Sequence, residues 1–329
     1  PGMVYAAIRR TPVAGGPLRS LDDSKARAMS GVIEVIKIES LKAAGMLGAY
    51  SAGDSVAVVA DSYWRAEKAL AVLELEWSTK GKEQVSSASI FEQFDRDITA
   101  GVNRLVDVAS GDADAAFDSA TTLLTADYRV PYLAHTCMEP PNATAEVTAD
   151  RAEIWIGCQN PLGFRQHLAA NLGLDLERVT LHNYFMGGGF GRKSNADYAL
   201  QTAIIARRVG RPVQMVYSRA EDIKQDFYRP AVQSRFKAGL DADGKLIAWQ
   251  NTYVDKHEPA EAPLIPYAVP TQDIGHVASP THVPLGAWRS VDHSQHGFFT
   301  ESFIDEAAHA AGRDPYEFRA EMLKDKPRL

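Results

Sequence analysis

Apolar residues along this chain recur with two periods, and the switches between them mark its elements. Short runs rich in β-branched residues at 3–8, 32–38 and 55–60 predict strands. Asp61 then opens a helix that carries Tyr63, Ala66, Ala69, Leu70 and Leu73 on one broad side. The alternation Leu73-Glu74-Leu75-Glu76-Trp77 marks a half-buried strand. Residues 1–78 therefore predict a small α/β or α+β domain. The character changes over 79–112, with polar residues at 78–83, a turn cluster at 109–112 and a short helix at 89–98 between them, which predicts a surface linker. A second block runs over 113–329. It has strands at 122–130, 143–147, 153–156 and 212–217, and a helix at 162–172 closed by Gly173. Strands at 235–240 and 246–253 flank Asp241-Ala242-Asp243-Gly244-Lys245, a hairpin turn. Residues 255–286, rich in Pro, His and Gly, predict a long loop; a helix follows at 298–311, and Asp314-Pro315-Tyr316-Glu317 starts another.

One stretch of the second block stands apart. A strand at 179–184 runs into Gly187-Gly188-Gly189-Phe190-Gly191-Arg192-Lys193-Ser194 and then into a helix at 195–209. Ser194 and Asp197 have capping-box spacing at the helix start, and Gly210 with Pro212 fits its stop. Glycines on a strand-to-helix turn let the backbone approach a ligand, and free N–H groups beside Arg192 and Lys193 suit an anion. The P-loop pattern laid on 187–194 fails because Arg192 stands where its last Gly belongs, and the dinucleotide pattern fails at the same residue. A plain tight turn is the bland alternative, which four glycines in five residues disfavour.

Composition narrows the classes. Hydrophobic residues make up 45% and charged residues 23% of 329, ordinary for a globular chain with a sizeable core. The net charge is −7, from 35 Lys plus Arg against 42 Asp plus Glu, and without a basic run it gives no footprint for nucleic acid. No apolar stretch is long enough to span a membrane. Cys137 and Cys158 form no C-x-x-C pair and offer no cluster for zinc or iron–sulfur; a disulfide and two ordinary thiols both remain open. The start at Pro1-Gly2-Met3, without initiator Met or signal pattern, suggests the interior of a longer precursor.

Other candidate chemistry is sparser. Gln159, in Gly157-Cys158-Gln159-Asn160, sits on another strand-to-helix turn, where its amide can donate to a ligand or serve only the turn. The segment 288–296 holds Arg289, suited to an anion or carbonyl, with His293 and His296 as acid–base or metal candidates that lack a third ligand. His135 and Glu139 precede Pro140-Pro141, as a pocket lining or a rigid turn, and Asp226 and Arg229 read as structural or inter-subunit residues.

Taken in order, these stretches resemble the molybdenum hydroxylases, the xanthine dehydrogenase and aldehyde oxidoreductase family, most of all its isoquinoline 1-oxidoreductase beta-subunit branch. The likeness rests on Met138-Glu139-Pro140, Gly157-Cys158-Gln159-Asn160, the Gly-Gly-Gly-Phe-Gly turn at 187–191, 226–230, Trp288-Arg289-Ser290 to Gln295, and 301–306, and spans nearly the whole chain. It implies an α+β fold: a hammerhead-like α/β domain at 1–78, the linker, and the first part of a molybdopterin-binding region over 113–329. It implies a molybdopterin, as its cytosine dinucleotide, held by Gln159, Gly188, Gly189, Phe190, Gly191 and Arg192. Gln159 would approach the molybdenum oxo group, and Arg289 would stabilise charge on the substrate in the transition state. No side chain here is expected to ligate a metal. The implied reaction hydroxylates an N-heteroaromatic or aldehyde C–H with oxygen from water. Electrons would leave through [2Fe-2S] clusters on a small partner subunit, and the likeness is compatible with export to the periplasm.

Two departures qualify the resemblance. The family's general base is a Glu in a Gly-x-Gly-Glu setting near the C-terminus, and this sequence contains no such motif. The chain is therefore expected to be a fragment or one part of a split subunit, inactive without the remaining C-terminal part. Ser194 also follows Lys193 where purine-oxidising members carry a Glu, which points away from purines. The competing readings are a phosphate- or nucleotide-binding module built on Gly187 to Ser194, and a non-catalytic fragment.

Overall fold

The computed structural model describes residues 1–45, 48–51, 53–255, 260–326 and 328. The loop predicted at 255–286 thus falls partly, at 256–259, outside the described residues, as do 327 and 329 at the chain's end. The chain forms two compact units of mixed helix and sheet. The first comprises Pro1–Gln84, Ala134–Arg229 and His282–Arg289; the second comprises Val85–Leu133, Pro230–Thr281 and Ser290–Leu329. The α+β class expected from the sequence is the one observed. The compact units cut across the expected boundaries at 78 and 112.

The first unit is built on a seven-stranded mixed sheet in the order Val179–Asn183, Ala152–Ile156, Asn142–Val147, Val213–Val216, Val4–Arg10, Ser55–Ala60, Val32–Ile38. Val4–Arg10 pairs parallel with Val213–Val216 and antiparallel with Ser55–Ala60. Successive residues of a strand point to opposite faces. Val4, Ala6, Ile8, Ala57 and Val59 accordingly join one core with Phe164, Leu168, Tyr198 and Leu200 of helices Pro161–Leu172 and Asp197–Val209. Ala7, Val56, Val58 and Ala60 join the other core with Ala66, Ala69 and Leu70 of helix Tyr63–Ala71. Ser55–Ala60 is buried at every position, as a strand covered on both faces must be. Ser62, not Asp61, caps the helix: its side chain accepts from Arg65 N, and Asp61 pairs with the Arg65 guanidinium instead.

The second unit is a five-stranded sheet in the order Leu105–Ser110, Thr271–His276, Leu246–Val254, Val232–Leu240, Thr122–Val130. Phe299, Phe303 and Ile304 of helix His293–Ala310 share its core with Phe236, Trp249 and Tyr253. Two expectations are corrected here. Residues 79–112 are no plain linker: helix Ser87–Ala100 buries Ile90, Phe94 and Ile98, one stripe at helical spacing, and Leu105–Ser110 is the sheet's edge strand. The loop at 255–286 contains the strand Thr271–His276, which pairs parallel with Leu246–Val254. Its sequence Thr-Gln-Asp-Ile-Gly-His lacks alternation, so only its neighbours reveal it.

Candidate functional site

Strands Ala152–Ile156 and Val179–Asn183 run parallel and side by side, with Ile156 opposite Asn183. Their carboxyl ends therefore deliver two turns to one edge of the sheet, each leading into a helix. That is where open α/β sheets place ligands. Gln159 is on the first turn and the glycines are on the second. Backbone and side-chain bonds stitch the two together: Gln159 N to Lys193 O at 2.9 Å, Cys158 N to Asn183 Oδ1 at 3.0 Å, and Tyr198 Oη to Gly157 O at 3.1 Å. Asn160 caps the first helix by accepting from Gly163 N, and Pro161 occupies its first position.

The glycines are needed for contacts inside the protein as much as for any ligand. A Cβ on Gly191, whose φ is +112°, would lie 1.5 Å from Ala287 O. One on Gly187 would lie 2.5 Å from Glu139 Cβ, and one on Gly189 2.5 Å from Gln159 Oε1. Phe190 itself takes φ 54°, a strained value for a bulky residue, and its ring is partly exposed. Gly187 N donates to Glu139 Oε2, Gly191 N to Gln159 Oε1, Arg192 N to Gly189 O and Ser194 N to Gly191 O. The N–H groups of Gly188, Gly189 and Phe190 meet no acceptor among the described residues. Because Gln159 Oε1 is held by Gly191 N–H, the amide's other end, Nε2, is left as an exposed donor.

Below the turn lies a buried ion network. Arg192, expected among the cofactor-binding residues, is 0% exposed. Its guanidinium holds both Asp197 oxygens at 2.9 Å and lies 3.2 Å from Asp226 Oδ1. Asp197 also pairs with Arg10 at 3.0 Å, so it does not cap its helix in the manner expected with Ser194. Burial pushes the Asp197 carboxyl up, but Arg192 and Arg10 outweigh it and hold it below its ordinary value. Lys193 is 1% exposed and paired with Glu139. The two cations that suggested an outside anion are therefore neutralised within the protein, because two buried carboxylates and one half-buried one claim them. This counts against the phosphate-module reading, which needs both cations at the surface.

Arg289 belongs to the same unit. Its N–H donates to Phe190 O at 2.8 Å, and its exposed guanidinium lies 5.3 Å from the Phe190 ring centroid. Two residues earlier, Ala287 O is contacted by His135 Nε2 at 3.1 Å, while His135 Nδ1 faces Asp226 at 3.0 Å. The sequence had marked His135 and Asp226 without joining them, since no local pattern links residues so far apart. Gln159, Gly188, Gly189, Phe190, Gly191 and Arg289 are thus brought together, and the Arg192 side chain is turned away. His293 and His296 fall in the second unit, where His296 Nε2 is bound to Asp255 at 2.9 Å. Cys137 and Cys158 are both free and buried; Cys137 Sγ lies 3.4 Å from Gly189 O, and burial pushes the Cys158 thiol up to about 11.

Three adjacent amides that meet no acceptor among the described residues, one oriented carboxamide and a close-packed glycine backbone can hold polar ligand atoms through fixed dipoles. The donor set fits a cofactor edge rich in acceptors. Residues 96–323 match the molybdopterin cofactor-binding domain, and this chain belongs to that family. It is 26% identical to isoquinoline 1-oxidoreductase subunit beta from Brevundimonas diminuta, over 100% of this chain and 44% of that protein. It is 26% identical to the nicotinate dehydrogenase large molybdopterin subunit of Eubacterium barkeri, over 97% of this chain and 82% of that one. Quinoline 2-oxidoreductase from Pseudomonas putida 86 superposes with a TM-score of 0.76 at 22% identity, over 97% of this chain and 46% of that one, a likeness of fold. The chain spans about half the length of most curated relatives it matches. Among the described residues no helix is long and apolar enough to cross a membrane.

Proposed function

We propose that this chain is the cofactor-gripping part of a molybdenum hydroxylase that oxidises an N-heteroaromatic or aldehyde C–H. The carrying observation is the row of unpartnered amides at Gly188, Gly189 and Phe190 beside the outward Nε2 of Gln159. When bound, a molybdopterin supplies a two-electron redox centre. The chain's own groups hold and orient it: the three N–H groups donate to its polar edge, and Gln159 adds a fourth donor whose direction is fixed by Gly191. Arg289, held at Phe190 O, presents an always-charged fork to negative charge developing on the substrate. The balance of the reaction is R–H plus water giving R–OH, two protons and two electrons.

The cytosine dinucleotide form of the cofactor and a [2Fe-2S] subunit as electron acceptor complete this reading. The test is turnover of quinoline and benzaldehyde in ¹⁸O-water by the assembled enzyme, with molybdenum and released cytidine monophosphate measured on the same sample. One ¹⁸O per product and molybdenum in the protein are expected. Product oxygen drawn from dioxygen, or assembled protein without molybdenum, contradicts the proposal. Gln159→Ala is expected to lower kcat by about a hundredfold, the usual effect of removing one preorganised donor.

A further inference from the structure

Lys193 and Glu139 have no part in that proposal, yet they sit against the turn. Glu139 Oε2 accepts from Gly187 N at 2.9 Å and from the buried Lys193 ammonium, while Glu139 N donates to Gly187 O at 3.0 Å. Gly187 has no room for a Cβ because Glu139 Cβ already fills that space. The carboxylate therefore sits where an outside anion would otherwise find one turn amide and one cation together. Burial pushes the Glu139 carboxyl up, but Lys193 and the Gly187 amide outweigh it and hold it below its ordinary value, so it is ionised at neutral pH.

We propose that Glu139 is a positioning residue that acts as a built-in anion on the inner side of the cofactor turn. It neutralises Lys193 and occupies Gly187 N–H, so that among the turn's own amides Gly188, Gly189 and Phe190 are the ones that meet no acceptor among the described residues and are left for a ligand. The device selects against small free anions: inorganic phosphate is drawn by a full positive charge, whereas a neutral row of N–H dipoles favours a large cofactor with many acceptors. This rests on the turn being the cofactor contact.

The experiment measures molybdenum and pterin retained by the intact protein after dialysis in chloride and in phosphate buffers of equal ionic strength. Wild type is expected to retain the same content in both. Glu139→Gln keeps an acceptor for Gly187 N–H but leaves Lys193 uncompensated, and its content is expected to fall about tenfold in phosphate relative to chloride. The double variant Glu139→Gln/Lys193→Met removes both charges and is expected to lose the phosphate sensitivity; it also guards against a single variant that fails to fold. A Glu139→Gln protein that matches wild type in both buffers, or loses cofactor equally in both, overturns the proposal, the second outcome because a merely structural role predicts it. Gly189→Val separates the two levels of inference. If it loses cofactor while Glu139→Gln behaves as wild type, only the role of Glu139 falls. If it retains cofactor in full, the turn is not the contact and both fall.

Discussion

Two glycine turns, one in each unit, solve the same backbone problem in opposite ways. The hairpin at 241–245 closes on itself: Asp241 N donates to Lys245 O, Gly244 N to Asp241 O, and the Asp241 carboxylate takes the amides of Asp243 and Lys245. Every one of these partners lies within four residues, and Gly244, at φ +73°, supplies the only unusual dihedral. The turn at 187–191 instead leans on Glu139, Gln159 and Ala287, all distant in sequence, and leaves three consecutive amides without acceptors among the described residues. A turn that satisfies itself is a connector. A turn whose neighbours satisfy its ends but not its middle is, on the function proposed above, a socket, shaped by the fold and completed by a ligand.

Substitutions can break that contrast. Gly191→Ala drives a Cβ into Ala287 O at a φ that L residues avoid, and is expected to cost about 4 kcal/mol or more in urea unfolding. Gly244→Ala brings its Cβ 3.1 Å from Ala311 Cβ and 3.5 Å from Ala311 O, far less crowded than at Gly191, and is expected to cost about 1–2 kcal/mol, with cofactor content unchanged. Equal costs at the two sites would dissolve the distinction.

The ion network beneath the turn comes next. Arg192→Met leaves Asp226 and part of Asp197 uncompensated in the core, and about 3–5 kcal/mol of stability should be lost at neutral pH. The same pair sets an acid limit. The folded-state pKa of Asp197 is depressed, so its contribution is complete above the ordinary value of 3.8 and fades as pH falls through the lower folded value. Unfolding of Asp197→Asn should show a shallower acid limb than wild type; an identical limb would assign acid sensitivity elsewhere.

A smaller effect with the opposite sign is expected at Glu221. Burial raises its carboxyl from 4.5 to about 7, so between these values the folded state holds a proton that the unfolded state has released. Its contribution therefore falls as pH rises from 4.5 to about 7 and is level above that. Glu221→Gln should flatten this slope in melts taken across the window, and an unchanged slope would remove Glu221 as its source.

What was legible in the sequence follows the same division between local and distant. The strands at 32–38 and 55–60, the Gly173 and Gly210 helix stops and the Pro315 helix start all depend on neighbours along the chain, and the structure has them where the patterns put them. The α+β class and the strand–glycine–helix unit were legible for the same reason. The strand Thr271–His276 was hidden because its partner supplies the reason for it to be extended. Arg192 and Lys193 misled because charge beside glycine suggests an anion, whereas Asp197, Asp226 and Glu139 come to them only in the fold. The His135–Asp226 contact, which supports Ala287 and so the Arg289 segment, joins three stretches that no spacing rule connects.

The most direct test of the socket is hydrogen exchange at the Gly188, Gly189 and Phe190 amides, measured on the intact protein with its cofactor and after the cofactor is removed. Bound cofactor is expected to slow these three amides by about tenfold or more, while Gly191 N–H, already held by Gln159, changes little. Equal exchange at all three amides in the two states would contradict the account and leave the turn as scaffold alone.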